Sequence, residues 1–375
     1  MFGKVFRLGA VRGIDIRVDV SWVLIALLIT WSFWARFASG DDDHSSGVAL
    51  AMAVIGAALF FGSILVHELA HALEAQRRGV TVAGITLFIF GGATTIDEDS
   101  RTPREEAWIA LAGPVTSLLI GAVLLGIDLF VAQPQLGALL GWLGFINVLL
   151  GLFNLIPGFP MDGGRVLRAI LWRIRGDRLV ATRSAALVGR AFGYLLIGLG
   201  VFMALRPGGS IFSSLWLALI GWFLSNAAEA TVAQAGVERS LRGVRVRDAM
   251  DLEPPSVSPN EPVAELVQER MLRGEDRSFL VRHDDGGLAG MVTLGDVRRL
   301  PREDWAAARV TDIMTRFPDL ATIGPDAPLA DALRLIQEKE IGQLPVIDGD
   351  ERSPVGIVTR RGILRLIEAR MKLGM

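Results

Sequence analysis

Hydrophobic positions fall along this chain in two regimes. Up to about residue 235 they form long, nearly continuous runs, whereas from about residue 240 they are cut into short segments by charge. Apolar runs approaching ~20 residues are long enough to cross a bilayer as helices. The pattern predicts a membrane domain over residues 1–235 and a soluble region after it. Six spans are expected, at roughly residues 20–36, 48–78, 105–130, 137–156, 187–205 and 211–232. The second is longer than a bilayer requires, so its last turns should tilt or emerge. The residues before Val20 are basic but lack an apolar stretch, which argues against a cleaved leader and makes the first span an uncleaved anchor.

Two stretches interrupt the helical pattern. Residues 80–97, VTVAGITLFIFGGATTID, are rich in β-branched residues and broken by Gly84, Gly91 and Gly92, which predicts a short hairpin or re-entrant segment. Residues 153–165, FNLIPGFPMDGGR, concentrate proline and glycine where no regular helix tolerates them. Irregular backbone survives at membrane depth only when it is buried in protein or lines a wet cavity. A polar cavity is therefore expected inside the membrane domain.

Charge orients the spans. With the N-terminus inside, the inner connections hold Lys4, Arg7, Arg12, Arg17, Arg77, Arg78, Arg101, Arg104, the arginines from Arg165 to Arg190, and Arg239. The outer loops hold only Arg36 and Arg206, beside Asp41, Asp42 and Asp43. This positive-inside bias puts both termini in the cytoplasm of a multi-pass cell-membrane protein. Eight of the nine tryptophans precede residue 231, as an interfacial belt would place them; ordinary core packing is the alternative for any one of them. Over 375 residues the mean hydropathy is +0.44, and the net charge of −2 implies no nucleic-acid partner. The absence of cysteine excludes disulfides and thiolate metal ligands.

The second predicted span contains His67-Glu68-Leu69-Ala70-His71. At i and i+4 on a helix, both imidazoles reach one zinc ion, with Glu68 beside them to take a proton from a coordinated water. Ionisable groups inside a span are costly and usually functional. The bland alternative is a pair of buried histidines hydrogen-bonded to neighbours. A catalytic zinc takes three protein ligands and keeps one position open. His44 and His283 lie in polar segments, so the third ligand should be a carboxylate. Asp162 is the only acidic residue between Asp128 and Asp177, and it sits in the proline- and glycine-rich break; a turn or capping role is its alternative.

The pairing of HELAH with NLIPGFPMDGGR resembles the site-2 protease family of intramembrane zinc metalloproteases, over roughly residues 15–230. The resemblance implies that Asp162 completes a single zinc site with His67 and His71, that Glu68 is catalytic, and that Asn154 lies near the substrate carbonyl; a helix C-cap is the other reading of Asn154. LAGPVTS, residues 111–117, is similar to a further family stretch at Gly113, Pro114 and Ser117. It also implies a substrate that is a single-span membrane protein, such as an anti-sigma-type regulator, cut within or beside its transmembrane helix. A helix hides the backbone that hydrolysis must reach. The substrate is therefore expected to unwind and pair with the β-rich segment near Phe90, Gly91 and Gly92, unless that segment only walls the cavity.

The soluble region repeats itself. VRVRDAM near residues 244–250 recurs as ARVTDIM near 308–314, and GLAGMVTLGDVRRL at 287–300 recurs as SPVGIVTRRGILRL at 353–366. Two similar α/β units are expected, at 236–303 and 304–375. They resemble a tandem pair of CBS domains, a family that commonly reads an adenosine nucleotide through a threonine and an aspartate. The first unit keeps Thr293 and Asp296; the second keeps Thr359 but has Gly362 in the acidic place. A structural or homodimer-forming pair without ligand is the alternative. The fold expected is a polytopic α-helical membrane domain followed by this pair. The function expected from the resemblance is regulated intramembrane zinc proteolysis; the alternative is a transporter or scaffold with a structural metal site.

Overall fold

The computed structural model describes residues 5–38, 46–89, 91–96, 100–208, 210–274, 276–349 and 354–373. His44, the aspartates at 41–43 and Phe90 lie outside them. The chain divides into two compact units, Met1–Ala233 and Gln234–Met375.

The expected spans fold as α1 (Ser21–Ala38), α2 (Ser46–Arg77), α3 (Pro103–Asp128), α4 (Pro134–Asn154), α6 (Arg178–Leu205) and α7 (Ile211–Leu241), with α5 (Asp162–Arg175) between α4 and α6; all lie in the first unit except the last turns of α7, from Gln234. Among the described residues, five of these helices are long and apolar enough to cross a membrane, and Ser21–Ala35 is a shorter apolar helix. The first span is therefore the marginal one of the six expected. Small residues let the helices approach closely: a Cβ on Gly121 would meet Val148 and the carbonyl of Gly144, and one on Gly193 would meet Ser225 and the carbonyl of Gly221.

No element is predicted from sequence for the N-terminal segment. It forms an antiparallel hairpin, β1 (Val5–Val11) and β2 (Ile14–Asp19). The expected hairpin at residues 80–97 is β3 (Val82–Phe88) and β4 (Gly91–Ile96), and β2 runs parallel to β3, giving one sheet in the order β1-β2-β3-β4. Alternation explains the pairing. Ile14, Ile16 and Val18 of β2, with Val82, Ile85 and Leu87 of β3, are buried, and most of them join Phe61, Ile64, Ala72 and Ala75 of α2 in one core.

Asp162 departs from expectation in one respect: it is the first residue of α5, not part of a non-helical break. The break is confined to the loop before it. Gly163 and Gly164 enter the helix because side chains there would strike the backbone of Leu155, Ile156 and Gly158 in that loop. The arginine-rich connection from Arg165 to Arg190 is split between α5 and the start of α6, with Gly176 in a left-handed conformation between them.

The second unit holds two sheets. The first contains β5 (Ser256–Val257), β6 (Ser278–Arg282), β7 (Leu288–Thr293) and β8 (Thr315–Arg316), in that order; the second pairs β9 (Gln343–Ile347) with β10 (Pro354–Thr359). Helices α8 (Val263–Glu265), α9 (Leu294–Arg299), α10 (Val310–Ile313), α11 (Leu329–Glu338) and α12 (Arg360–Lys372) pack around them. The two repeats interlock, because each lends its first motif to the core of the other. Val244 and Val246 lie in one core with Leu329, Ile336, Leu344 and Ile363. Val310 lies in the other core, with Val257, Phe279 and Val292. Matching backbone bonds fasten the exchange: Val246 N–H to the Ala327 carbonyl (2.9 Å) and Leu329 N–H to that of Val244 (2.9 Å), and Val310 N–H to that of Glu261 (3.0 Å) and Val263 N–H to that of Ala308 (3.0 Å). Arg316 and Thr315 then pair with Gly290 and Met291 of β7, as Asp251 pairs with Ile357 of β10.

This exchange has a measurable consequence. Val310→Ala, although in the second repeat by sequence, should destabilise the first core by about 1–3 kcal/mol. Hydrogen exchange should report the loss of amide protection in β6 and β7; loss confined to β9 and β10 would contradict the assignment.

Candidate active site

The last turns of α2 carry His67, Glu68 and His71 into the interior of the first unit. Both imidazoles are buried, at 4% and 3% exposure. Helical spacing puts them on one face, and their Nε2 atoms are 3.3 Å apart. Asp162, at the start of α5, places Oδ2 at 3.2 Å from His67 Nε2 and 3.1 Å from His71 Nε2. Residues 95 and 91 apart in sequence thus converge on one point.

The far nitrogens are tied to α3. His71 Nδ1 lies 2.7 Å from the carbonyl oxygen of Ile109, which can only accept, so this nitrogen carries the proton and Nε2 presents a lone pair. His67 Nδ1 lies 2.9 Å from Ser117 Oγ, which holds the second ring in place. Between these two anchors α3 presents Gly113, where a Cβ would fall against both Nε2 atoms. No side chain fits there, so α3 can press directly on the histidine pair. Two imidazole lone pairs and a carboxylate oxygen facing one another repel unless a cation sits among them. Ligand atoms each ~2.05 Å from a tetrahedral zinc lie about 3.3 Å apart. The separations of 3.1, 3.2 and 3.3 Å match that spacing. The donor set therefore fits a tetrahedral zinc with three protein ligands, and among the described residues it is the group of metal-binding side chains that converges in this way.

Glu68 points elsewhere. Its Oε2 accepts a hydrogen bond of 2.7 Å from Thr94 Oγ1 on β4, and a Cβ on Gly92 would strike its side chain. Gly91, at φ +131°, opens the strand in a conformation that L side chains rarely adopt. The first residues of β4 thus lie directly against the carboxylate. Glu68, Asp162 and both histidines border a cavity of about 490 Å³, with Asn154 at the end of α4, Gly91 and Gly92 in its wall. Ile25, Ile29, Phe60 and Leu150 make its apolar side. Asn154 gives one amide N–H to the Leu150 carbonyl at 3.0 Å, which leaves its second N–H available to the cavity.

Sequence reasoning singled out every group that converges here, but it missed what holds them. Thr94 and the Ile109 carbonyl carried no signal; Ser117 was marked by resemblance alone. In the second unit, Thr293 and Asp296 meet at the start of α9, where Asp296 Oδ2 accepts from Thr293 N–H (2.9 Å) and Oγ1 (2.7 Å). Thr359 starts α12 with its Oγ1 accepting from Gly362 N–H at 3.0 Å, with no carboxylate at the matching place.

A buried histidine pair flanking a glutamate and closed by a distant aspartate, in a bundle of apolar helices, defines a membrane metallopeptidase fold and site. Residues 55–134 and 128–199 match the profile of peptidase family M50, and residues 246–303 and 310–369 match the CBS domain. The chain is 34% identical over 366 residues to a protein of Mycobacterium tuberculosis named putative zinc metalloprotease Rip3, covering 96% of this chain and 92% of that one. It is 32% identical over 370 residues to putative zinc metalloprotease sll0528 of Synechocystis, covering 96% and 95%. The chain belongs to peptidase family M50, as a multi-pass metalloprotease of the site-2 type with a C-terminal pair of CBS domains. Among solved structures it is similar to the site-2 protease from Methanocaldococcus jannaschii, at 29% identity over 61% of this chain and 95% of that one, with a TM-score of 0.44.

The anchor behind His67 can be tested directly. Ser117→Ala should weaken metal retention about 10–100-fold, as loss of an orienting partner does. Competition with a chelator measures it, and Ser117→Thr, which keeps the hydroxyl, should recover most of the loss.

Proposed function

We propose that this protein hydrolyses a peptide bond in or beside the transmembrane segment of a single-span membrane protein, as regulated intramembrane proteolysis. The observation that carries the reading is the convergence of His67, His71 and Asp162 beside a glutamate that is not one of the three. A purely structural metal site has no use for Glu68. Zinc held by the three ligands would supply Lewis-acid activation of the carbonyl and lower the pKa of the attacking water.

The chain's own groups do the rest. Glu68 takes the proton of the attacking water as the new C–O bond forms, then passes it to the departing amine as the C–N bond breaks. Thr94 holds the carboxylate in place for both transfers, and the free N–H of Asn154 donates to the carbonyl oxygen as it gains charge. The substrate must be extended to present its backbone, and the free edge of β4 beside Glu68 gives it a strand to pair with. Basic residues concentrated in alternate connections support an orientation with the N-terminus and CBS pair in the cytoplasm. The natural substrate, of anti-sigma type by the family's pattern, remains the substrate class we assign.

The CBS pair is read as a sensor of an adenosine nucleotide centred on Thr293 and Asp296, with Thr359 in a weaker half-site, and as the surface for a homodimer. Such a ligand alters proteolysis only by favouring one of two conformations.

In a purified, reconstituted protein, Glu68→Gln should keep its zinc and lose cleavage of a model transmembrane peptide by about 10²–10⁴-fold. Asp162→Asn should lose the zinc itself. Cleavage that survives Glu68→Gln removes the mechanism. N-methylation of the model peptide beside its scissile bond deletes a strand donor and should raise KM about tenfold or more, on the order of one lost backbone bond. Equilibrium dialysis with ATP and AMP should register binding that Asp296→Ala weakens; equal binding by both proteins removes the nucleotide assignment.

A further inference from the structure

Below the metal ligands, α3 carries a glutamate that the chemistry above does not use. Glu106 is fully buried, and its carboxylate is bound by the Arg168 guanidinium of α5 through Nε and Nη2. Arg178, at the start of α6, places Nε at 3.9 Å from the second carboxylate oxygen. The Arg168 side chain also lies over the Phe159 ring, with the guanidinium 5.0 Å from its centroid. Phe159 is buried in the loop that delivers Asp162, and its N–H reaches the Ala185 carbonyl of α6 at 3.4 Å. A long side chain on a helix points back towards the helix N-terminus. On α5 that direction leads from Arg168 to the turn that begins with Asp162.

The spacing on α3 gives this pair its meaning. Glu106, Ile109, Gly113 and Ser117 recur at intervals of three and four, which puts them on one helical stripe. Ile109 and Ser117 fix the two imidazoles, and Gly113 is the point where the helix touches both. Glu106 takes hold of the helix that brings the third ligand. We infer that the Glu106–Arg168 pair is a positioning clamp for Asp162, which sets the carboxylate against the histidines so that one face of α3 aligns both halves of the metal site.

A buried ion pair is a weak device for stability. Replacing both partners by apolar residues is often neutral, while removing one leaves an uncompensated charge. Here, however, two guanidinium nitrogens converge on a single carboxylate oxygen, Glu106 Oε1, a directional contact that holds two helices in one register. Its place between α3 and α5 accords with placement of a ligand rather than with cohesion of the bundle. Arg165, one turn after Asp162 and bordering the cavity, forms no such pair among the described residues, so the clamp is the ionic tie of this kind that α5 makes to α3.

The clamp rests on the reading of the three residues as a zinc centre, and the experiment separates the two. Zinc content and affinity, by chelator competition, would be measured for the full-length protein, Asp162→Asn, Glu106→Gln, Arg168→Lys and the apolar pair Glu106→Leu with Arg168→Met, alongside thermal melting. The apolar pair should melt close to the parent protein yet hold zinc about 10–100-fold more weakly, the scale on which groups behind metal ligands act. Arg168→Lys, which keeps charge without the fork, should fall between them. Parent-like zinc affinity in the apolar pair overturns the clamp while leaving the metal centre intact. If that pair fails to fold, Glu106→Gln decides the question by the same measurement. A parent protein that binds no zinc removes the centre itself, and Asp162→Asn identifies that outcome.

Discussion

Two imidazole lone pairs and a carboxylate oxygen, held at 3.1–3.3 Å from one another in a buried pocket, repel. Burial of the imidazoles weakens the screening of charge there, so the arrangement is tenable only with a cation in the middle and firm support behind each group. Much of the first unit reads as that support. α2 supplies the histidines in a fixed i, i+4 relation, and α3 orients them through Ile109 and Ser117. The absence of a side chain at Gly113 lets α3 reach them at all. The carboxylate arrives on a separate helix, and its placement needs the compact turn that Gly163 and Gly164 permit. A methyl group at any of these glycines would be felt at the metal.

The bilayer adds a second constraint, which the sheet resolves. Strand edges and loops are excluded from hydrocarbon unless protein or a wet cavity receives their polar backbone. Here β2 and β3 are buried on one face against α2, and the outermost strand on the catalytic side, β4, borders the cavity. Glu68 touches this strand through Thr94 and packs on Gly92. An edge that would be a liability on a soluble protein therefore lies beside the group proposed to move protons. The same geometry explains why the hairpin is glycine-rich at its turn: bulkier residues at 92 would displace the carboxylate.

Much of this was legible in the sequence, and the limit falls along a physical line. The HELAH turn is a local pattern, readable because helical periodicity alone puts its histidines together. Asp162 was legible by elimination, since neither a cysteine nor another acid near the break competed for the role. What the sequence does not carry is contact between distant segments. The Ile109 carbonyl has no side-chain identity to read. Thr94 is one of several polar residues in a β-rich stretch. Glu106 and Arg168 are 62 positions apart and look like an ordinary helix-start acid and a surface arginine. The β1–β2 hairpin was missed because its exposed strand lacks buried alternation, and β2 gains its place only by pairing with β3. Asp162 was placed in irregular backbone because glycine and proline signal a break without saying on which side of it the helix resumes.

The same limit applies to the CBS pair, where repetition was plain but the exchange was not. Each repeat begins with a segment whose valine is buried in the other core, so neither core is complete without both repeats. Such a pair cannot open one half while leaving the other untouched. Two stretched halves joined end to end could relay a ligand's effect only through their linker; interlocked halves share it through the backbone bonds at Val246 and Val310. The chemistry of the halves is nonetheless unequal, because the first repeat has a carboxylate, Asp296, at the position where the second has Gly362. On the proposed reading, one occupied half-site is enough to bias the whole pair, since the second core has part of its own structure invested in the first.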